Sequence, residues 1–242
     1  MLAEEEVKTV GEYLDVIKAA YNEKKSTKAL FEDFLFRGQA DDHPLIPKIS
    51  RLRPKADLLM IEKLLLQEFK RTNPLLIEKY ETYNDWDYLT LGQHYGLPTR
   101  LLDWSNNALT ALWFATGNSF SDYQTAENAV VWVLLPVEGD YIDTERVHPF
   151  EVKETKIYRP RIIKQRINNQ SGVFSIQSSN EVENKVELAR VPDFSDKLVK
   201  IKLPAHRLRD IRNDLNVLGV NAFSIFPELE GLCAYLQWRY FE

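Results

Sequence analysis

The stretch Leu91-Gly-Gln-His-Tyr-Gly-Leu-Pro-Thr-Arg-Leu-Leu-Asp-Trp-Ser105 runs straight into Asn107-Ala-Leu-Thr-Ala-Leu-Trp-Phe-Ala115. This is the part of the chain that most constrains its fold. Gly96 suits the end of a helix, where a positive φ is wanted. Pro98 biases Leu97 away from helical geometry, so the residues that follow are extended. Ser105, Asn106 or Asn107 then caps a helix whose Ala108, Leu109, Ala111, Leu112 and Ala115 face inward. The stretch therefore reads as a loop between two apolar helices, crowded with Gln93, His94, Thr99, Arg100, Asp103 and Trp104. Loops that carry such groups between rigid elements are where sites are usually built. The plainer alternative is an ordinary corner, with Asp103 as a cap and Arg100 as its partner.

A second segment, Phe34-Leu-Phe-Arg-Gly-Gln-Ala-Asp-Asp-His-Pro-Leu-Ile-Pro47, is an apolar run that breaks off at Arg37-Gly38-Gln39. Together with Gln93-His-Tyr-Gly-Leu-Pro-Thr-Arg-Leu-Leu-Asp-Trp104 it resembles the FRG domain family, named for its Phe-Arg-Gly motif. Two weaker echoes follow. Gln170-Ser-Gly-Val-Phe174 is similar to that family's Gln-x-Gly-x-Phe segment, and Phe226-Pro-Glu-Leu-Glu-Gly-Leu232 to its Phe-Pro-Asp-Leu-Asp-Gly-Leu segment. On this resemblance, residues 1–25 are an N-terminal helix and residues 26–242 a single FRG domain. The family is known as a pattern without an assigned activity. Its spread among bacteria and their viruses implies a toxin or phage-defence role.

The 242 residues, 44% hydrophobic and 12% aromatic, are enough for one generous core. A net charge of −5 argues against a general nucleic-acid surface, which is usually basic. Arg159-Pro-Arg-Ile-Ile-Lys-Gln-Arg166 is a local cationic cluster, and a solvated face is its simplest reading. The lone Cys233 leaves no intrachain disulfide, which suits a reducing compartment. Its place among Leu229, Leu232, Leu236 and Tyr240 at helical spacing predicts a core position. Met1-Leu-Ala-Glu-Glu-Glu-Val-Lys8 lacks the basic and apolar regions of a signal peptide, and no apolar run reaches the ~20 residues of a membrane span. A cytoplasmic protein without a membrane partner is expected.

Thr9-Val-Gly-Glu12 reads as a capping box ahead of a helix with Tyr13, Leu14, Ile17 and Tyr21 on one side. Leu30 to Phe36 predicts a buried strand with Arg37 at its exit. Residues 55–71 and 85–95 predict helices, and Asn73-Pro74 a short helical restart. In the second half, residues 129–135, 172–177 and 198–203 predict strands, and 160–169 and 207–218 helices. Ala222 to Phe226 reads as an edge strand before a last helix from 227. Helices early and strands late make an α+β fold, a helical N-terminal half packed on a mixed, mainly antiparallel sheet.

The scattered histidines His43, His94, His148 and His206 lack the spacing of a metal site, so no metal is expected. No phosphate-cradling Gly-rich loop and no Gly-x-Ser-x-Gly elbow is present. The order of the polar motifs resembles, more distantly, that of ADP-ribosyltransferases. Those enzymes carry an early-strand arginine, a Ser/Thr-rich strand before an Ala-x-x-Phe-Ala-like helix, and a late Gln-x-Glu. That resemblance implies NAD as cofactor, with Arg37, His94, Asp103 and Gln170 catalytic. It implies that Arg37, Gln39, Tyr95, Thr99, Arg100 and Trp104 bind the dinucleotide. An arginine can hold phosphates bidentately, aromatic rings can stack on nicotinamide, and an acid can steady positive charge on the ribose. Gly172 stands where the transferases carry their glutamate. A protein or nucleic acid would accept any transferred group. A non-catalytic recognition module, and a nuclease or phosphodiesterase using His94 and Arg37, remain open.

Overall fold

A computed structural model of the chain describes residues 3–25, 34–72, 83–117, 128–161 and 172–241. Their strands form one seven-stranded mixed sheet in the order β1-β7-β4-β2-β3-β6-β5. The strands are β1 (Ala3–Glu6), β2 (Leu35–Gln39), β3 (Leu101–Ser105), β4 (Asn128–Leu134), β5 (Lys156–Tyr158), β6 (Gly172–Ile176) and β7 (Leu198–Pro204). Only β1 and β7 pair parallel; every other pairing is antiparallel. The α+β reading stands.

Strand alternation divides the core between the two faces of the sheet. On one face Phe36, Val131, Val133, Ile201 and Leu203 pack against four helices. These are α1 (Val10–Lys25), α4 (Ala108–Ala115), α5 (Leu208–Val217) and α6 (Ala222–Ile225). On the other, Leu35, Leu102, Trp104, Trp132 and Leu134 pack against Leu45 from a loop and Leu188 and Phe194 from short helical turns. A third cluster joins α2 (Leu58–Thr72) and α3 (Asp85–His94) to β3, β5 and β6 through Leu66, Trp86, Leu89, Leu101, Phe174 and Tyr158. The last helix, α7 (Leu229–Phe241), packs on α6. Among the described residues no helix is long and apolar enough to cross a membrane.

Local signals act much as their chemistry demands. The Thr9 hydroxyl accepts from the Glu12 N–H (3.1 Å), and the Glu12 carboxylate takes the N–H of Lys8 (2.6 Å) rather than that of the cap. Asn84 and Asp87 close a capping box at the start of α3. Gly96 ends that helix at φ +86°, and Asn107 caps α4 through the N–H groups of Leu109 and Thr110.

Four expectations are corrected. The early strand runs from Leu35 through Arg37 to Gln39, so the arginine lies within it and not at its exit. Residues 101–105 are strand β3 rather than loop, because each apolar side chain there finds a partner across β6. Ala222 to Ile225 is helical: Asn221 accepts from Phe223 and Ser224 and nucleates a turn that an edge strand would forfeit. Cys233 is exposed, because α7 turns Gly231, Tyr235 and Trp238 inward instead. Strands β1 and β5 were not foreseen; one has glutamate at three of its four positions and the other is three residues long. The Asn73-Pro74 restart and residues 162–169 of the 160–169 helix lie outside the described residues.

Candidate functional site

The site begins where two strands part. β2 and β3 pair at Phe36 and Ser105, while β2 stays paired to β4 all the way to Gln39. A cleft of about 410 Å³ opens beside that divergence. Its size is within the range of small-molecule sites, and so is its lining of apolar groups with a few convergent polar ones. Phe36, Phe114, Phe174 and Phe226 give aromatic walls; Thr90, Gln93 and His94 line it from α3, and Arg37, Asp103 and Ser105 from the sheet.

Gly38 fixes how closely helix and strand approach at this point. A Cβ there would sit 1.8 Å from the carbonyl oxygen of Ala111 in α4. No side chain fits, so the glycine that follows Arg37 sets the depth of the cleft. Gly231 allows a similar close approach behind Phe226: its missing Cβ lets α7 lie against the Phe226 carbonyl, where a Cβ would come within 1.9 Å.

Arg37 and Asp103 meet across the gap, as their shared position at the ends of apolar runs suggests. The Arg37 Nη1 donates to the main-chain carbonyl of Asp103 at 2.8 Å and lies 3.7 Å from its carboxylate. The arginine thus binds a backbone acceptor beside the place where the β2–β3 pairing stops. Its buried Nε has no hydrogen-bond partner among the described residues. Burial pulls the guanidinium below its ordinary value; the Asp103 charge opposes that, and Arg51 adds to it by repulsion.

Asp103 is the exposed residue of an otherwise buried strand, with 58% of its side chain open. A short relay holds it. The Leu101 N–H donates to the Thr99 hydroxyl (3.2 Å), that hydroxyl donates to Gln93 Oε1 (2.5 Å), and Gln93 Nε2 donates to Asp103 Oδ2 (2.8 Å). Because Thr99 takes up the amide oxygen, the amide nitrogen is left facing the carboxylate.

The remaining candidates divide. His94 lines the cleft, its ring 5.1 Å from that of Tyr95 in an edge contact. Tyr95 itself points to solvent, 58% exposed. Thr99 is buried behind Gln93. Trp104 also lines the cleft, while its ring packs into the core of the opposite face with its indole N–H donated to Ser175 (3.0 Å). Gln39 accepts the indole N–H of Trp132 (3.0 Å) and does not line the cleft. Arg100 is 1% exposed and paired with the equally buried Glu62, its guanidinium 5.1 Å from the ring of Phe150. Its charge is spent on holding α2 to the loop before β3. Gln170 lies outside the described residues; Gly172, near it in sequence, lines the cleft.

Sequence reasoning singled out neither the aromatic walls nor Gln93 as ligand to the acid. The signal was present: Phe36, Phe114, Phe174 and Phe226 each belong to a motif segment, but phenylalanines in apolar runs look like core. No group of three or more His, Cys, Asp or Glu among the described residues is placed to hold a metal ion.

Residues 32–124 match the family model described as FRG domain. The match takes in β2, α3, β3 and α4, and so most of the cleft; Gly172, Phe174 and Phe226 lie beyond it. No curated protein and no solved structure matches the chain.

Proposed function

The chain carries an FRG domain, and from that premise we propose that its cleft binds a nucleotide-like ligand, NAD in the first instance, and cleaves or transfers at the ribose. One observation carries this reading. Every motif segment that resembles the family delivers a residue to a single cleft, and the only exposed group on its central strand is a carboxylate.

Four phenylalanines offer faces on which a nicotinamide or adenine ring can stack. In the proposed step the C1′–N bond of NAD breaks and its electron pair leaves with neutral nicotinamide. The ribose carbon becomes cationic, and the Asp103 carboxylate stabilises that charge. Gln93 orients Asp103, and Arg37 keeps its strand in place. Water, or the nucleophile of a protein or nucleic-acid acceptor, then forms the new bond at C1′ and gives up its proton. His94 lines the cleft and is the group available to take it. In cells, such NAD consumption would act as a toxin or as phage defence.

Asp103→Asn tests the reading cleanly. The carboxylate is more than half exposed and 3.7 Å from Arg37, so losing its charge should cost stability by about 1 kcal/mol or less. Chromatography of NAD incubated with the wild-type protein should show nicotinamide release. The Asn variant, still folded by circular dichroism, should lose it sharply. A folded variant with undiminished release would remove Asp103 from the chemistry.

A further inference from the structure

The outer face of α7 carries a pattern that packs into none of the core clusters among the described residues. Leu229, Cys233, Leu236 and Tyr240 recur with the four-three-four spacing of a coiled-coil seam. Yet Leu229 is 79% exposed, Leu236 41% and Tyr240 69%, and Cys233 is exposed beside them. The opposite face is the one that packs, with Gly231 against Phe226 and Tyr235 against the core. An apolar stripe of that regularity on solvent-facing helix surface is unusual for a surface with no partner.

We propose that this stripe is a self-association surface, and that its occupant is α7 of a second copy packed antiparallel about a two-fold axis. Two features select that occupant. The first is that the spacing reads the same from either end. Antiparallel pairing sets Leu229 opposite Tyr240 of the second copy and Cys233 opposite its Leu236, so every seam residue meets another seam residue, as an isologous contact requires. The second is charge. Glu228 and Glu230 lie at the N-terminal end of the helix and Arg239 near its C-terminal end. Antiparallel pairing brings the acidic end of each copy beside the arginine of the other, whereas parallel pairing would stack the acids together. The helix dipoles also oppose in this arrangement.

With one helix of about 20 Å on each side, the contact falls at the small end of specific interfaces. The dimer therefore forms with rising concentration and is not permanent. It leaves the cleft free, since no residue of α7 lines the cleft.

Sedimentation velocity over a range of concentrations tests this, with melting curves as a control for folding. The wild-type protein should shift from monomer to dimer, and Leu236→Glu should stay monomeric with an unchanged melting temperature. Arg239→Glu should weaken association at least several-fold, and adding Glu228→Arg should restore it. Because Cys233 is the chain's one cysteine, a short bis-maleimide should yield a single covalent dimer. A wild-type protein monomeric at every concentration would overturn the proposal, as would a dimer indifferent to Leu236→Glu. Failure of the charge swap to restore association would overturn the antiparallel register.

Discussion

The two arginines that the sequence offered as phosphate clamps have different work, and burial decides which. Arg100 is sealed with Glu62, each at most 2% exposed, so neither charge can fall back on water if the other is removed. Glu62→Ala should therefore cost about 3–5 kcal/mol in a chemical denaturation series. Asp15→Ala, which breaks an Asp15–Lys18 pair more than 70% exposed on both sides, should cost at most about 1 kcal/mol. Equal losses at the two sites would show that Arg100 is not held as described. Arg37 lies between these extremes, tied to a carbonyl and facing an acid that water can reach. The sequence could place Arg37 and Asp103 near each other because each follows an apolar run. It could not show that Arg100 had a buried partner, since Glu62 sits in a helix stripe that otherwise looks apolar and lies 38 positions away.

Among elements, the decisive contact is α4 crossing β2 at Gly38. Gly38→Ala would drive a methyl group to within 1.8 Å of the Ala111 carbonyl unless helix and strand move apart. Overpacking of this kind costs typically about 1–3 kcal/mol. The variant should also lose cleft ligand even where it remains folded, since Phe36 and Phe114 flank the same contact. A Gly38→Ala protein of wild-type stability and affinity would contradict the close approach. Most elements were legible because capping residues and periodicity agreed, as at Gly96 and Asn107. The failures share a cause: the deciding interaction was non-local or too short to show a period. β3 reads as loop until β6 is beside it, β1 is a run of acids that finds β7 nearly 200 residues on, and the 222–225 turn is set by one asparagine.

At the scale of the whole molecule, two buried tyrosines set an alkaline limit on the fold. Burial pushes the Tyr158 hydroxyl up to about 12, with Thr90 opposing and Asp87 adding to the rise. Tyr13, buried and donating to the Ala108 carbonyl at 2.8 Å, is raised well beyond its ordinary value. The unfolded chain ionises both near pH 10 while the fold keeps them neutral, so their contribution is intact below pH 10 and is lost above it. Each should take up to about 1.4 kcal/mol of stability per pH unit between its unfolded and folded pKa. Tyr158→Phe should flatten the decline measured between pH 10 and 12, and an unchanged slope would argue against the burial. The central claim, that motif segments scattered from Phe36 to Phe226 fold into one ligand cleft, is tested most directly by melting the protein against NAD concentration. A ligand that binds only the native state stabilises it by RT ln(1 + [L]/Kd), about 2.7 kcal/mol at a hundred times Kd, so the melting temperature should climb steadily with NAD. A melting curve unmoved by millimolar NAD, and by other nucleotides in parallel, would contradict it.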